Sequence, residues 1–505
     1  MSSPPLPRRA IVGRIVQNAQ RPLILSPDKS RLSANVAEDW TASVHDGMFL
    51  VAEGPTDSVR IVCRVCRIQS YGEKSAIAFQ SISEFVTVAE LEPLCEIHGG
   101  ETRNVVNANL NGFGLRPCAA DEISTVFRLP REGVELGRAI VDGGAAEVPM
   151  NLPEELVYRS AFFCGAKGSG KTTALRSLLP RLAALPTVRR PAIVILDVEG
   201  EFCTDSAAES FARMGATVKR LTLSADPAYA TATLGLGLVH YEDFAYFAPN
   251  LPLNSMLHLE SITKELWYGF AQANRIPRAR EILNQICQAT WRRPAIHPSQ
   301  RDAIVRATAS DVFSLFDQGD LPQVTASSIV TSGLVTILDV SSLTDDQQRV
   351  VALYLLSSIT RHKDRIHDST GVLVVMDEAQ KLFPHKGDLK PEYAERLGKF
   401  VGHIVHRGRR RRLGVVLATQ YPADVSHEVA DLCDTKLVFR MAGSQAWIRA
   451  TLCDTHSARY VPELGVGQAF VVSTGLDLLA PVRVQFPAAD SGFPNREGEA
   501  EVKAG

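Results

Sequence analysis

The sequence predicts an α/β chain: a doubly wound core of parallel strands behind a β-rich N-terminal region, with a helical insertion in the core. Three observations predict it. From about Tyr158 onward, runs such as "PAIVILDVEG", "LVTILDVSS", "GVLVVMDEA" and "LGVVLATQ" are continuously apolar, as strands buried on both faces require. From Ala10 to about Ile97, short runs such as "AIVGRIV", "GMFLVAEG", "VRIVCRVCRI" and "EFVTVAEL" are separated by breaks rich in Gly, Pro, Asp and Ser, which favours a small β-barrel or sandwich. Between the core runs, "ITKELWYGFAQANRIPRAREILNQICQATWRR" has the composition of helices.

The elements then follow in order. Residues 1–9 are rich in Pro and Ser and read as loose. Residues 1–100 are expected to form the N-terminal β-barrel, and 101–157 connecting strands that lead into the core. The core itself is 158–204 and 331–487, interrupted by the helical insertion at 205–330. "GQAFVV" and "VRVQF" are read as closing it. The polar, small-residue stretch 488–505 reads as a disordered tail.

Bulk composition narrows the function classes. A chain of 505 residues suggests roughly two to four domains. Apolar residues make up 45% and charged residues 22%, a soluble globular balance with a sizeable core. Lys and Arg number 54 against 56 Asp and Glu, a net charge of −2. The chain is therefore no polycation, and any nucleic-acid site must be a local patch. Nine cysteines without regular spacing suit a reducing cytoplasm. Cys63 and Cys66 fall three apart on a strand, where a straight strand sends them to opposite faces, so they read as core or surface residues and not as a metal pair. No window reaches the ~20 apolar residues of a membrane span, and "MSSPPLPRRAIVG" lacks the apolar region of a signal peptide. The expectation is a cytoplasmic protein without membrane contact.

The chemistry concentrates in a few stretches. "FFCGAKGSGKTTAL" runs from a buried strand through a Gly-rich turn into a helix. Gly165, Gly168, Ser169, Gly170, Lys171 and Thr172 fit G-x-x-x-x-G-K-[ST], with Thr173 following. Glycines let backbone N–H groups turn toward phosphates, and the helix N-terminus favours an anion. Lys171 is expected to reach the β- and γ-phosphates of ATP, and the Thr172 hydroxyl to bind Mg²⁺. Pro180 falls inside the helix pattern and is expected to kink or shorten it.

"GVLVVMDEAQKLFP" sets Asp377-Glu378 at a strand end, where ligands bind in open α/β sheets. Asp377 is the expected Mg²⁺ residue and Glu378 the expected general base for the attacking water. "VLATQYP" places Gln420 at another strand tip, where an amide orients water or senses the γ-phosphate. Asp197, Glu199 and Glu201, in "PAIVILDVEGEF", read equally as lining a metal shell or a subunit contact, or as loop carboxylates. Together these elements predict a RecA-like P-loop ATPase core.

"RLGKFVGHIVHRGRRRR" holds seven Lys/Arg and no acid. Leu397, Phe400, Val401, Ile404 and Val405 form one apolar helix face. Arg407, Arg409, Arg410, Arg411 and Arg412 crowd its C-terminal end, beyond what the helix dipole asks for. Two uses fit: a finger reaching a neighbour's ATP, or contacts to nucleic-acid phosphates. Lys386 and Lys390, in "HKGDLK", are candidates for a DNA-contacting loop.

In this order, these motifs resemble the HerA family of hexameric DNA-translocating ATPases, within the HerA–FtsK group of P-loop motors. Gly165–Thr172 looks like its Walker A loop, "LDVEGEF" like its D-x-x-G-E-[YF] element, Asp377-Glu378 like Walker B and "ATQYP" like its T-Q-x-P sensor. The resemblance implies a trans-acting finger among Arg407 to Arg411 and an arginine near the nucleotide at Arg440. It also implies a homo-hexamer on double-stranded DNA, and a partner on the barrel face: a NurA-type nuclease or another effector of prokaryotic defence. A conjugation or secretion ATPase that moves protein, and an ATP-dependent assembly scaffold, share the same core and stay open.

Overall fold

The computed structural model describes residues 13–16, 32–36, 43–54, 60–72, 85–98, 101–105, 113–141, 146–186, 189–224, 229–248, 251–366, 369–385, 389–443 and 445–487. The expected loose start at 1–9, the expected tail at 488–505 and Lys386 lie outside them. The chain divides into two compact units. The first comprises Met1–Leu152, Ile448–Pro462 and Gln468–Phe486; the second comprises Pro153–Trp447, Glu463–Gly467 and Pro487–Gly505.

In the first unit an antiparallel sheet runs in the order Leu32–Val36, Gly13–Val16, Gly114–Pro117, Phe49–Glu53, Arg60–Gly72, Phe85–His98, Glu101–Arg103. Leu32–Val36 also pairs with Phe85–His98, so the hydrogen-bonded order returns on itself. Met48, Leu50, Ala52, Ile61, Cys63, Val65, Leu91 and Leu115 fill its core. Gly114–Pro117, from the stretch read as connecting, belongs to this sheet because it pairs with both Gly13–Val16 and Phe49–Glu53.

Cys63 and Cys66 are both buried. Cys63 packs with Ile61 and Val65 in the core cluster, whereas Cys66 donates toward Glu92, and the strand's register shifts between Val62 and Cys63 and again between Val65 and Arg67. Among the described residues no group of three or more His, Cys, Asp or Glu is placed to hold a metal. A second antiparallel run joins Gln468–Ser473, Val482–Gln485, Val134–Val141 and Ala146–Leu152. The strands Gln468–Ser473 and Val482–Gln485, from "GQAFVV" and "VRVQF", fall within the bounds of the first unit.

The second unit carries a parallel sheet in the order Ala230–Thr231, Thr217–Thr222, Leu334–Asp339, Ala192–Asp197, Val372–Met376, Leu413–Thr419, Ala161–Cys164, Thr435–Phe439. Ala192–Asp197, Val372–Met376 and Leu413–Thr419 are buried at every position, which is why their sequences are apolar without alternation. The 205–330 stretch contributes the helices Leu253–Gln272, Ala279–Arg292 and Pro298–Thr308. It opens with the helix Asp205–Arg213 and then supplies the strand Thr217–Thr222, which pairs with Leu334–Asp339 inside the sheet.

The helix Lys171–Ala183 continues through Pro180 and ends one residue short of Ala184. Pro391–Gly408 starts on a proline at its first turn and buries Leu397, Val401, Ile404 and Val405. Phe400 of that helix stacks on Tyr246 at 4.3 Å between ring centroids. Among the described residues no helix is long and apolar enough to cross a membrane.

Candidate active site

Parallel strands deliver their C-terminal ends to one edge of a sheet. Ala161–Cys164, Val372–Met376 and Leu413–Thr419 are neighbours, so Gly165, Asp377 and Gln420 emerge side by side. The loop after Ala161–Cys164 is pinned at its base. Gly165 N–H donates to the Thr419 carbonyl at 3.2 Å, and Ala166 N–H to the Arg440 carbonyl at 2.9 Å. Arg440 thus meets this loop through its backbone.

Two glycines let the loop turn: φ is +73° at Gly168 and +99° at Gly170. At Gly170 there is also no room, since a Cβ would lie 2.5 Å from the Gly467 nitrogen. Gly467 N–H donates to the Ser169 carbonyl at 2.9 Å. The helix that follows begins at Lys171, so the first-turn amides of Lys171, Thr172 and Thr173 have no intrahelical acceptor. Thr172 and Thr173 are half-buried.

Lys171 is buried, and its Nζ donates to the Gly165 carbonyl at 2.6 Å and the Ala166 carbonyl at 3.3 Å. Burial pushes its ammonium below the usual lysine range, while the charges of Asp377 and Glu378 pull it back up. Asp377 is buried, and burial lifts its carboxyl to about 6, against the hydrogen bond it accepts from Glu378 N–H at 2.8 Å. The nearby charges of Glu378 and Glu201 add to the rise.

Glu378 sits in the left-handed region at φ +48° and caps the short helix Ala379–Leu382. Its Oε1 accepts from Gln420 Nε2 at 2.5 Å and its Oε2 from Gln380 Nε2. Gln380 Oε1 in turn accepts from the Thr419 hydroxyl at 2.5 Å. Lys171, Asp377, Glu378 and Gln420, far apart in the chain, are therefore brought to one place.

These residues fit a nucleoside triphosphate with a divalent cation. The loop offers glycine-lined space and orphan first-turn amides, and Ser169 Oγ is buried with no hydrogen-bond partner among the described residues. Asp377 is a buried carboxyl, in an environment that disfavours its charge unless a cation stands beside it.

The remaining carboxylates separate. Asp197 is buried and accepts from the N–H groups of Glu201, Phe202 and Cys203 at 2.9, 2.8 and 2.7 Å. It organises the turn after its strand, and both oxygens are occupied in doing so. Glu199 pairs with Lys381 at 2.6 Å. Glu201 stays close enough to act on both Lys171 and Asp377.

The arginines cluster elsewhere in this unit, at the end of Pro391–Gly408. Arg411 is ion-paired with Asp364. Arg412 lies over the Tyr158 ring at 5.1 Å. Arg407, Arg409 and Arg410 are exposed. Gln380 and the Gly467 contact escaped the sequence reading. Gln380 belongs to no spacing rule, and Gly467 meets the Gly-rich loop only through the fold.

The fold and site define a P-loop ATPase: a parallel sheet whose strand ends assemble a Gly-rich loop, a lysine and an Asp-Glu pair. Residues 134–359 match the family model described as "Helicase HerA, central domain". The DNA double-strand break repair helicase HerA of Sulfurisphaera tokodaii is 22% identical over 76% of this chain and 72% of its own length. That of Sulfolobus acidocaldarius is 23% identical over 71% and 68%. By these matches the chain is similar to HerA-family ATPases, over its central 134–359 in particular. In fold it is also similar to VirB4 of Thermoanaerobacter pseudethanolicus, with a TM-score of 0.53 at 14% identity over 72% of this chain and 98% of that one. The bacterial conjugative coupling protein TrwBdeltaN70 gives 0.50 at 14% identity, over 75% and 96%.

Proposed function

We propose that this ATPase works as a six-membered ring that hydrolyses ATP to move double-stranded DNA. The observation that carries the reading is the convergence of Lys171, Asp377, Glu378 and Gln420 at one sheet edge, in a chain that matches the HerA central domain. Lys171 and the loop amides hold the phosphates. Glu378 takes a proton from the attacking water, and Gln420 orients the carboxylate and that water. Thr172 and Asp377 would hold Mg²⁺, which when bound neutralises phosphate charge. Arg407 reaches the neighbouring subunit's nucleotide.

In this reading the antiparallel sheet of the first unit, with its self-closing strand order, is the barrel that receives a NurA-type nuclease or another effector of prokaryotic defence. Nine cysteines without regular spacing suit a cytoplasmic setting. The relatives' name, DNA double-strand break repair helicase, supports DNA as the moved polymer.

The test is steady-state ATPase rate against duplex DNA at several salt concentrations, followed by displacement of a triplex-forming strand. Turnover is expected to rise with duplex, and displacement to require ATP. An assembled ring that shows no stimulation at low salt with its partner present sinks the DNA reading. Binding without faster hydrolysis then points to an assembly scaffold, and absence of both to a protein-moving ATPase.

A further inference from the structure

The orientation of the Gln380 amide follows from what its neighbours can do. A carboxylate only accepts hydrogen bonds, so the amide nitrogen must face Glu378 Oε2, as observed. The amide oxygen therefore faces away and needs a donor. It finds the Thr419 hydroxyl at 2.5 Å. Thr419 is fully buried, and its Oγ1 accepts from Tyr421 N–H at 3.1 Å, which leaves the hydroxyl hydrogen for Gln380.

The chain of bonds thus runs in one direction, from Tyr421 N–H through Thr419 and Gln380 to Glu378. It joins two neighbouring strands, Val372–Met376 and Leu413–Thr419, beyond their paired residues. Gln420 ties the other oxygen of the same carboxylate. Glu378 is held from both sides, with its backbone in the left-handed region. A carboxylate has about four lone-pair positions, so two remain for water.

We propose that Gln380 is a positioning residue for ATP hydrolysis. Together with Thr419 it fixes the rotamer of the Glu378 carboxylate so that a free lone pair meets the attacking water. This rests on the reading of Glu378 as the general base. Among the described residues the Gln380 side chain is hydrogen-bonded to Glu378 and Thr419, so its loss is expected to act on the chemical step and not on nucleotide affinity.

The experiment is a set of variants: Gln380→Leu, Thr419→Val, the two together, and Thr419→Ser. Glu378→Gln runs beside them, and each is measured for kcat, KM and nucleotide Kd. A misplaced reacting group costs up to about 10²-fold in rate. Gln380→Leu is expected to lower kcat by about 10- to 100-fold, with KM and Kd within about 2-fold. Thr419→Val is expected to lower kcat as well, the double variant to be no slower than Gln380→Leu, and Thr419→Ser to recover most of what Thr419→Val loses.

Normal turnover in Gln380→Leu beside an inactive Glu378→Gln overturns this proposal alone. Normal turnover in Glu378→Gln overturns the base reading and this one with it. Equal loss of affinity and turnover in Gln380→Leu, or additive losses in the double variant, also overturns it.

Discussion

Lys171 is a buried cation whose direct partners among the described residues are two backbone carbonyls, with two carboxylates near enough to steady its charge. Lys171→Ala is expected to abolish nucleotide binding, read by fluorescent-nucleotide titration. Glu378→Gln leaves the nucleotide-binding loop and Asp377 in place but removes the proton acceptor and one of the two oxygens that accept from Gln380 and Gln420, so it should bind ATP and nearly stop turnover, read by the same titration beside a steady-state assay. Gly170 carries a different burden. Its φ of +99° and the 2.5 Å approach of the Gly467 nitrogen leave no place for a side chain. Gly170→Ala should cost about 1–3 kcal/mol in backbone strain alone, visible as a lower melting temperature and weaker nucleotide binding.

Among elements, the Arg60–Gly72 strand shows how one residue joins distant segments. Arg64 is buried and makes a two-pronged contact with Asp454 at 2.8 and 2.9 Å and a bond to Glu92 at 2.5 Å. Burial raises the Asp454 carboxyl, but hydrogen bonds and charge from Arg64, with help from Ser457, hold it well below the usual carboxylate range. A depressed carboxyl stabilises the fold at pH above its ordinary value of about 4, and that stabilisation is lost as pH falls through the lower folded value. The gap in melting temperature between the native chain and Asp454→Asn should therefore be full near pH 7 and close on acidification. Arg64→Ala removes the cation that faces two buried carboxylates and should cost about 3–5 kcal/mol at pH 7.

The Pro391–Gly408 helix poses its question at the other end. Arg411 is committed to Asp364, whereas Arg407 is exposed. If Arg407 acts across a subunit boundary, Arg407→Ala should bind ATP but lose about 10³- to 10⁵-fold in turnover. Mixing it with Lys171→Ala should restore part of the activity, because one class of interface then holds an intact loop and an intact arginine. Mixed rings that stay inactive while exchanging subunits would place Arg407 outside the reaction.

For the whole molecule, a net charge of −2 gives no general attraction to a polyanion. Affinity for duplex must come from a few local Lys and Arg, and each phosphate neutralised lowers log K against log[salt] by about 0.9. A ring gripping duplex through several subunits should show a slope of several units and little sequence preference, since phosphate contacts position without specifying. Binding isotherms from low to moderate salt check this. Sedimentation should give a particle six times the chain mass.

The sequence by itself determined the local chemistry. The Gly-rich loop, the strand-end Asp377-Glu378 and the Gln420 tip are written as short motifs, because phosphate binding and proton transfer need particular residues at fixed spacing. Continuous apolar runs likewise announced the parallel sheet, because strands buried on both faces tolerate little else. Only the tertiary structure decided which residues meet. It gave Asp197 to a turn, and it tied Arg411 to Asp364. It bent the Cys63–Cys66 strand by two register shifts, set Gly467 against Gly170, and aimed Gln380 at Glu378. These outcomes depend on strand order and on contacts between residues far apart in the chain, and no local pattern of side chains encodes strand order.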